Sequence, residues 1–223
     1  MTQKRIAIIG CGAQAKYASE IFHLLPNHAV THVLSPQNIT ELDWLSHYSG
    51  THIIGYDKVA DLIANNDIDG AIVCIANKQE KAEIFAKYVL GKTETVSAIH
   101  PKAVIASTAT LGAGVIINAG AVIQPLATIG RGAMIHANVI VEHDCSIGAW
   151  TNLAPGCQLA GWVQIGEAAT VFTGASVVPT VKIGKRAIVG AGAAVIQDVE
   201  DDTVVVGVPA RQIKKWGKHG LTR

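Results

Sequence analysis

The sequence predicts two unlike halves: a parallel α/β sheet in the first hundred residues, then a stack of short-stranded coils. Three observations carry this. Strand-like and helix-like segments alternate up to about residue 98. From Ile105 onward an aliphatic residue returns at every sixth position. The 223-residue chain is 49% hydrophobic yet only 5% aromatic, and residues 100–223 hold sixteen of its 22 glycines but four of its eleven aromatics. A core with so few rings must be built from small and aliphatic side chains.

The same composition excludes several classes. An apolar fraction this high with 16% charge excludes a disordered chain. No run approaches the ~18 consecutive apolar residues of a membrane span. A formal charge of +1 gives no electrostatic footprint for nucleic acid. The start, Met1 to Arg5, leads directly into the short apolar run Ile6–Ile9, without the longer apolar stretch and cleavage site of a signal peptide, so a cytoplasmic protein is expected. Cys11, Cys74, Cys145 and Cys157 form neither a CxxC pair nor a zinc spacing, and read as reduced thiols.

In the first half, Lys4 to Ile9 reads as a buried strand, and Gly10-Cys11-Gly12 opens a helix running to about Leu25. Ala29 to Leu34 is a second strand, and Ser35 to Thr51 is irregular with some helical character. Asp57 to Asn65 and Lys78 to Gly91 read as helices, with Ala71 to Ile75 a buried strand between them. Alternation of this kind makes a parallel sheet. Gly10-x-Gly12-x-x-Ala15 after a strand is the glycine pattern of a Rossmann-like turn, which brings backbone N–H groups to a phosphate at a helix N-terminus. An NAD site also wants an acid at the end of the second strand; that region reads Leu34-Ser35-Pro36. The expectation is therefore no NAD, and either another phosphorylated ligand or a purely structural turn. Thr93 to Pro101 is the junction, with domains expected at 1–98 and 99–223.

In the second half, stepping by six from Ile105 to Val195 meets only Leu, Ile or Val. Stepping by six from Ala109 to Ala193 meets only small or β-branched residues. Leu111-Gly112, Ile129-Gly130, Ile147-Gly148, Ile165-Gly166 and Ile183-Gly184 fall eighteen apart, so three hexads form one larger unit. The physical reading is a triangular coil of three short strands. One aliphatic residue per side points inward, and a glycine relieves strain at one corner. Neither a helix nor an ordinary strand generates a strict period of six. Past Val195, Gln197 to Asp202 reads as a solvated acidic turn and Thr203 to Gly207 as an additional strand closed by Pro209. Trp150, Trp162, Phe172 and Trp216 avoid both inward stripes and are expected to face neighbouring subunits or ligands.

This repeat resembles that of the hexapeptide-repeat acyltransferases. The resemblance implies a left-handed parallel β-helix of about five coils over residues 103–198, and a homotrimer with active sites in the grooves between subunits. With the short α/β domain in front, nearly the whole chain resembles the sialic-acid O-acetyltransferase and nucleotide-amino-sugar N-acetyltransferase family, including its bacillosamine and perosamine types. The carrying segments are Gly10 to Lys16, Ile99-His100-Pro101, Val141-Glu142-His143-Asp144-Cys145, Leu159-Ala160-Gly161 and Gly207-Val208-Pro209-Ala210. In that family the α/β domain binds a nucleotide sugar and the β-helix groove binds acetyl-CoA. Departures lie mostly on the acceptor side. Ala13-Gln14 stand where the family often has Gly-His, Ser35 where it often has aspartate, and His136 where it often has asparagine.

Acetyl transfer from a thioester needs a base for the acceptor proton and a donor for the developing oxyanion. His143 suits the base and Asp144 its orienter, with Glu142 a weaker candidate. Gly161 stands eighteen residues after His143, on the next coil; the resemblance implies that its N–H is the oxyanion donor, beside the reading of a corner glycine. Trp162 either walls the acceptor pocket or anchors an interface. The resemblance places Thr173, Ala191 and the segment closed by Pro209 on the coenzyme, with Arg211, Lys214 and Lys215 following as either phosphate partners or plain basic surface. It places Gly10, Gly12, Gln14, Ser35 and Asn77 on the acceptor. His136 either positions the acceptor amine or is an ordinary surface histidine. His100, His136 and His143 show no metal spacing, so no metal is expected. The expected activity is acetyl-CoA-dependent N-acetylation of a nucleotide-linked aminodeoxy sugar. Its rivals are O-acetylation of sialic acid or another sugar hydroxyl and a non-catalytic trimeric scaffold, with an NAD-dependent oxidoreductase a distant third.

Overall fold

The structure is a computed structural model that describes residues 3–36, 42–48 and 50–215. The chain divides into two compact units, Met1–Pro101 and Lys102–Arg223. In the first, β1 (Lys4–Ile9), β2 (His28–Ser35), β3 (His52–Gly55), β4 (Gly70–Val73) and β5 (Glu94–Thr95) form one parallel sheet in the order β3-β2-β1-β4-β5. Ile6, Ala7, Ile8 and Ile9 on the central strand are fully buried, as an unbroken apolar run must be when both faces of a parallel sheet are covered. The helices are α1 (Ala13–His23), α2 (Val59–Ala64) and α3 (Lys78–Ile84).

β3 and β5 were not expected from the sequence: four and two residues are too few to establish a period. The helix expected from Asp57 begins as a 3₁₀ turn, Tyr56–Lys58, and α3 passes into a π-helical turn, Phe85–Val89. The irregular segment after Ser35 contains the 3₁₀ turn Asp43–His47, and its residues 37–41 lie outside the described residues. Asn77 caps α3 by accepting from the Gln79 and Glu80 N–H groups, both at 3.1 Å. Because all strands run the same way, the turns after β1, β2, β3 and β4 share one edge of the sheet. Gly10 is required there: its φ is +125°, and a Cβ would collide with the Cys74 carbonyl oxygen.

In the second unit each two-residue strand pairs in parallel with the strand eighteen residues on, as Val122↔Ile140 and Ile123↔Val141 illustrate. A six-stranded sheet runs from Val104–Ile105 to Ala194–Val195, and a five-stranded one from Thr110–Leu111 to Lys182–Ile183. A third runs through Ile188–Val189 to Thr203–Val206 and ends on the antiparallel strand Arg211–Lys215. Parallel strands in three stacked sheets with this repeat fit a left-handed β-helix. From Val115 onward both inward stripes are buried, all at 5% exposure or less. Each large aliphatic residue so buried contributes roughly 1.5–3 kcal/mol.

The corner geometry differs from expectation. Gly112, Gly130, Gly148 and Gly166 are absent from the positive-φ residues. A Cβ on each would meet the backbone nitrogen nineteen residues on at 2.5 Å, so close approach of the next coil excludes side chains there. The left-handed conformation sits instead two residues later, at Gly114, Gly132, Trp150, Ala168 and Arg186, with φ between 56° and 72°.

Gln197–Asp202 is an exposed turn, as expected, but its carboxylates also cap the neighbouring strand. The Asp198 and Asp201 carboxylates accept the Lys182 and Lys185 N–H groups at 2.8 and 2.7 Å, and Asp202 pairs with Arg186. Val199 bridges Ile183. The last strand of the five-stranded sheet would otherwise leave its edge unpaired, and these groups cover it. Trp150 also departs from expectation: it is 8% exposed, lying over Gly132, whose missing side chain leaves room for the ring. Trp162 and Phe172 are exposed as expected, and Trp216 lies outside the described residues.

Candidate active site

The turn Glu142–Cys145 leaves the inward Val141 and carries its side chains on one corner of the β-helix. Asp144 adopts φ 59°, a left-handed conformation that Asp tolerates better than most residues. This places its Oδ2 2.8 Å from His143 Nδ1 although the two are chain neighbours. The carboxylate holds the proton on Nδ1, so the lone pair is on Nε2. Glu142 shares the turn, but among the described residues no hydrogen bond ties its carboxylate to His143. It acts instead, with Asp144, on Cys145, whose thiol is pushed up to about 11 chiefly by burial. That thiol donates to the Ala160 carbonyl at 3.1 Å and is no nucleophile near neutral pH.

Gly161 lies one coil on. A Cβ there would stand 2.7 Å from both Cε1 and Nε2 of His143, so the imidazole occupies the space that any other residue would fill. Its φ is not positive, which removes the reading of a glycine kept for its turn conformation. The Gly161 N–H has no acceptor among the described residues, whereas its carbonyl accepts from Thr180 N–H at 3.0 Å. Trp162, 53% exposed, meets the His143 ring edge-on at 4.4 Å between centres, and its N–H donates to the His143 carbonyl at 3.1 Å. Glu142, His143, Asp144, Gly161 and Trp162 thus converge on one corner.

His136 is on a different corner, part-buried, with Nε2 3.1 Å from Asn152 Oδ1. Burial lowers its pKa, with the Asn152 hydrogen bond opposing that shift. Asn118, eighteen residues earlier, is 7% exposed, and its Nδ2 has no partner among the described residues. Neither asparagine was singled out from the sequence, though stepping by eighteen from His136 finds Asn118. Thr173 and Ala191 stack on the same corner as His136, through Gly192 N–H to the Thr173 carbonyl at 2.9 Å. One chain therefore does not bring Thr173 or Ala191 to His143. Pro209 and Arg211 are exposed at the end of the coil, where Arg211 donates to the Ala210 carbonyl and Lys215 pairs with Glu200.

In the first unit, Gly10, Gly12, Gln14, Ser35 and Asn77 all fall at the carboxyl edge of the sheet. Ser35 is buried, its hydroxyl 3.2 Å from the Pro36 carbonyl. Gln14 accepts from Lys81 Nζ at 3.2 Å, and Lys81, only 3% exposed, has its pKa lowered to about 8 by burial. Lys81 was missed from the sequence because a lysine on a polar helix reads as surface. No helix among the described residues is long and apolar enough to cross a membrane, and no three His, Cys, Asp or Glu among them converge as metal ligands do.

Residues 127–161, which contain His143 and Gly161, match the family described as bacterial transferase hexapeptide (six repeats). Among curated protein sequences none matches. Among solved structures, PerB of Caulobacter crescentus, in complex with CoA and GDP-perosamine, is 32% identical with a TM-score of 0.85, covering 94% of this chain and 97% of its own. Its histidine-to-asparagine variant, described as perosamine N-acetyltransferase and holding the same two ligands, gives 31% identity and a TM-score of 0.86, over 94% and 97%. The acetyltransferase domain of PglB from Neisseria gonorrhoeae, in complex with acetyl coenzyme A, is 25% identical with a TM-score of 0.82, over 95% and 100%. Likeness on this scale runs through both units and includes the His143 corner, and the chain belongs to the hexapeptide-repeat sugar acetyltransferase family, with the perosamine and bacillosamine N-acetyltransferases.

Proposed function

We propose that the chain transfers acetyl from acetyl-CoA to the amino group of a nucleotide-linked aminodeoxy sugar, for surface-glycan synthesis in the cytoplasm. The observation that carries this is the His143–Asp144 pair set against the side-chain-free Gly161. His143 Nε2 takes the amine proton as nitrogen attacks the thioester carbonyl. The Gly161 N–H receives the carbonyl oxygen as it becomes an oxyanion. Asp144 stabilises the imidazolium, and His143 returns the proton to the departing thiolate sulfur as the intermediate collapses.

Thr173, Ala191, Pro209 and Arg211 would hold the coenzyme. Because Thr173 and His143 occupy different corners, a complete site needs two copies, which supports a homotrimer. The strand order 3-2-1-4-5 supports a Rossmann-like reading of the first unit, and the eighteen-residue register supports about five full coils in the second. Gly10, Gly12, Gln14, Ser35 and Asn77 then belong to an acceptor domain and His136 to the acceptor amine. The test is CoA-thiol release with a panel of amino sugars, nucleotide-linked and free, and their hydroxyl counterparts. Turnover with nucleotide-linked amines is the expected result; turnover confined to hydroxyl sugars would overturn it in favour of O-acetylation.

A further inference from the structure

On the corner that carries His143, the left-handed position of successive coils is held by residues with side chains: Leu126, Asp144, Trp162 and Thr180, with φ between 59° and 68°. On the corner of His136 the same position is glycine at Gly120, Gly156, Gly174 and Gly192. Glycine adopts this conformation freely, whereas a bulky residue in it is an outlier that its surroundings must hold in place. For Asp144 the reason is its hydrogen bond to His143. For Trp162 the reason is not burial. The other left-handed tryptophan, Trp150, is 8% exposed over Gly132, but Trp162 keeps 53% of its surface exposed. What its ring meets is His143, with the two planes at 90° and the ring centres 4.4 Å apart.

His143 needs such a neighbour. Asp144 restrains one ring atom, Nδ1, and both side chains of that pair are partly open to water, at 42% and 31% exposure. A single hydrogen bond fixes a distance and leaves the plane of the imidazole free to turn. Gly161 supplies space and no side chain. A second ring packed edge-on limits that turning, as a base that must be held within 10–20° of its working geometry requires. The Trp162 backbone N–H also donates to the His143 carbonyl at 3.1 Å, which ties the indole's coil to the residue that the indole packs on. Resting on the reading of His143 as the base, we propose that Trp162 is a positioning residue: its indole holds the imidazole plane so that Nε2 faces the acceptor nitrogen beside the Gly161 N–H. Trp162 then acts through His143, on the rate of proton transfer, and not on the binding of either substrate.

The experiment is steady-state CoA-thiol release with acetyl-CoA and the amine turned over fastest in the panel above. It compares wild type, Trp162→Phe, Trp162→Asn, His143→Ala and the double variant of the last two. Asn suits a left-handed turn better than Trp, so Trp162→Asn relieves backbone strain; melting temperature and sedimentation compare its fold and assembly with wild type. Trp162→Asn is expected to lower kcat about 10–100-fold, with both KM values within about twofold of wild type. Trp162→Phe, which keeps an aromatic edge, is expected to recover most of that loss. In the His143→Ala background Trp162→Asn is expected to change the residual rate less than about twofold, because the indole acts only through the imidazole. A raised acceptor KM with kcat kept would make Trp162 a wall of the acceptor pocket. Loss of the fold or the assembly would make it a structural anchor, and an undiminished cost in the His143→Ala background would give it a role apart from His143. Each of these overturns the proposal and leaves His143 as the base. If His143→Ala matches wild type, or no amine is turned over, the functional reading fails and the proposal falls with it.

Discussion

His143 and Asp144 are neighbours in sequence whose side chains meet because the chain turns left-handed between them, and Gly161 gives the imidazole its space. Two outcomes follow. Gly161→Ala places a methyl group 2.7 Å from the imidazole, so the ring must move off Asp144. Its kcat is expected to fall by on the order of 10²-fold, with CoA affinity kept; steady-state kinetics checks this. Lys81 makes a separate case through stability. Its folded pKa is about 8, whereas the unfolded chain holds the proton to roughly 10.4. Below pH 8 both states are charged and the full burial penalty applies. Between about pH 8 and 10.4 the unfolded state binds more protons, so stability rises with pH through this window. Lys81→Met is expected to be about 3 kcal/mol more stable at pH 7, with the gap closing toward pH 10; denaturant melts across pH measure it. A gap independent of pH would mean the ammonium is not buried. Lys81 shows why part of the first unit was illegible in the sequence: a lysine on a polar helix reads as a surface charge, and only the fold puts it in the interior. His143 and Asp144 were legible because they stand together in a repeat whose register gives them a corner.

At the scale of the element, the six-residue stripes made the second unit legible almost coil by coil, since a strict period survives without any tertiary knowledge. What they did not reveal is why the glycines stand where they do. Gly148 meets the backbone nitrogen of Glu167, whereas Gly174, at φ +68°, has open space around it. Gly174→Ala should therefore cost only the left-handed backbone penalty of roughly 1–2 kcal/mol. Gly148→Ala must push two coils apart and should lower the melting temperature considerably further. Equal losses would contradict the close-approach account. The edge contacts of the acidic turn and β3 were illegible because each is set by pairing with residues far along the chain, whereas the strand Arg211–Lys215, a hairpin partner of Thr203–Val206, carries too little alternation to stand out.

For the whole molecule, the proposed coenzyme contact at Thr173, on a different corner from His143, calls for an assembly in which a second copy completes the site. Sedimentation should give three times the chain mass of 23.4 kDa; a monomer that is fully active would contradict the assignment of coenzyme contacts to a second copy. The central claim is that His143 moves the proton in acetyl transfer to a nucleotide-linked amine. The most direct measurement is the initial rate of CoA-thiol release with such an acceptor, comparing wild type with His143→Ala at matched oligomeric state. A fall on the order of 10²–10⁴-fold is expected; a rate equal to wild type would contradict the account.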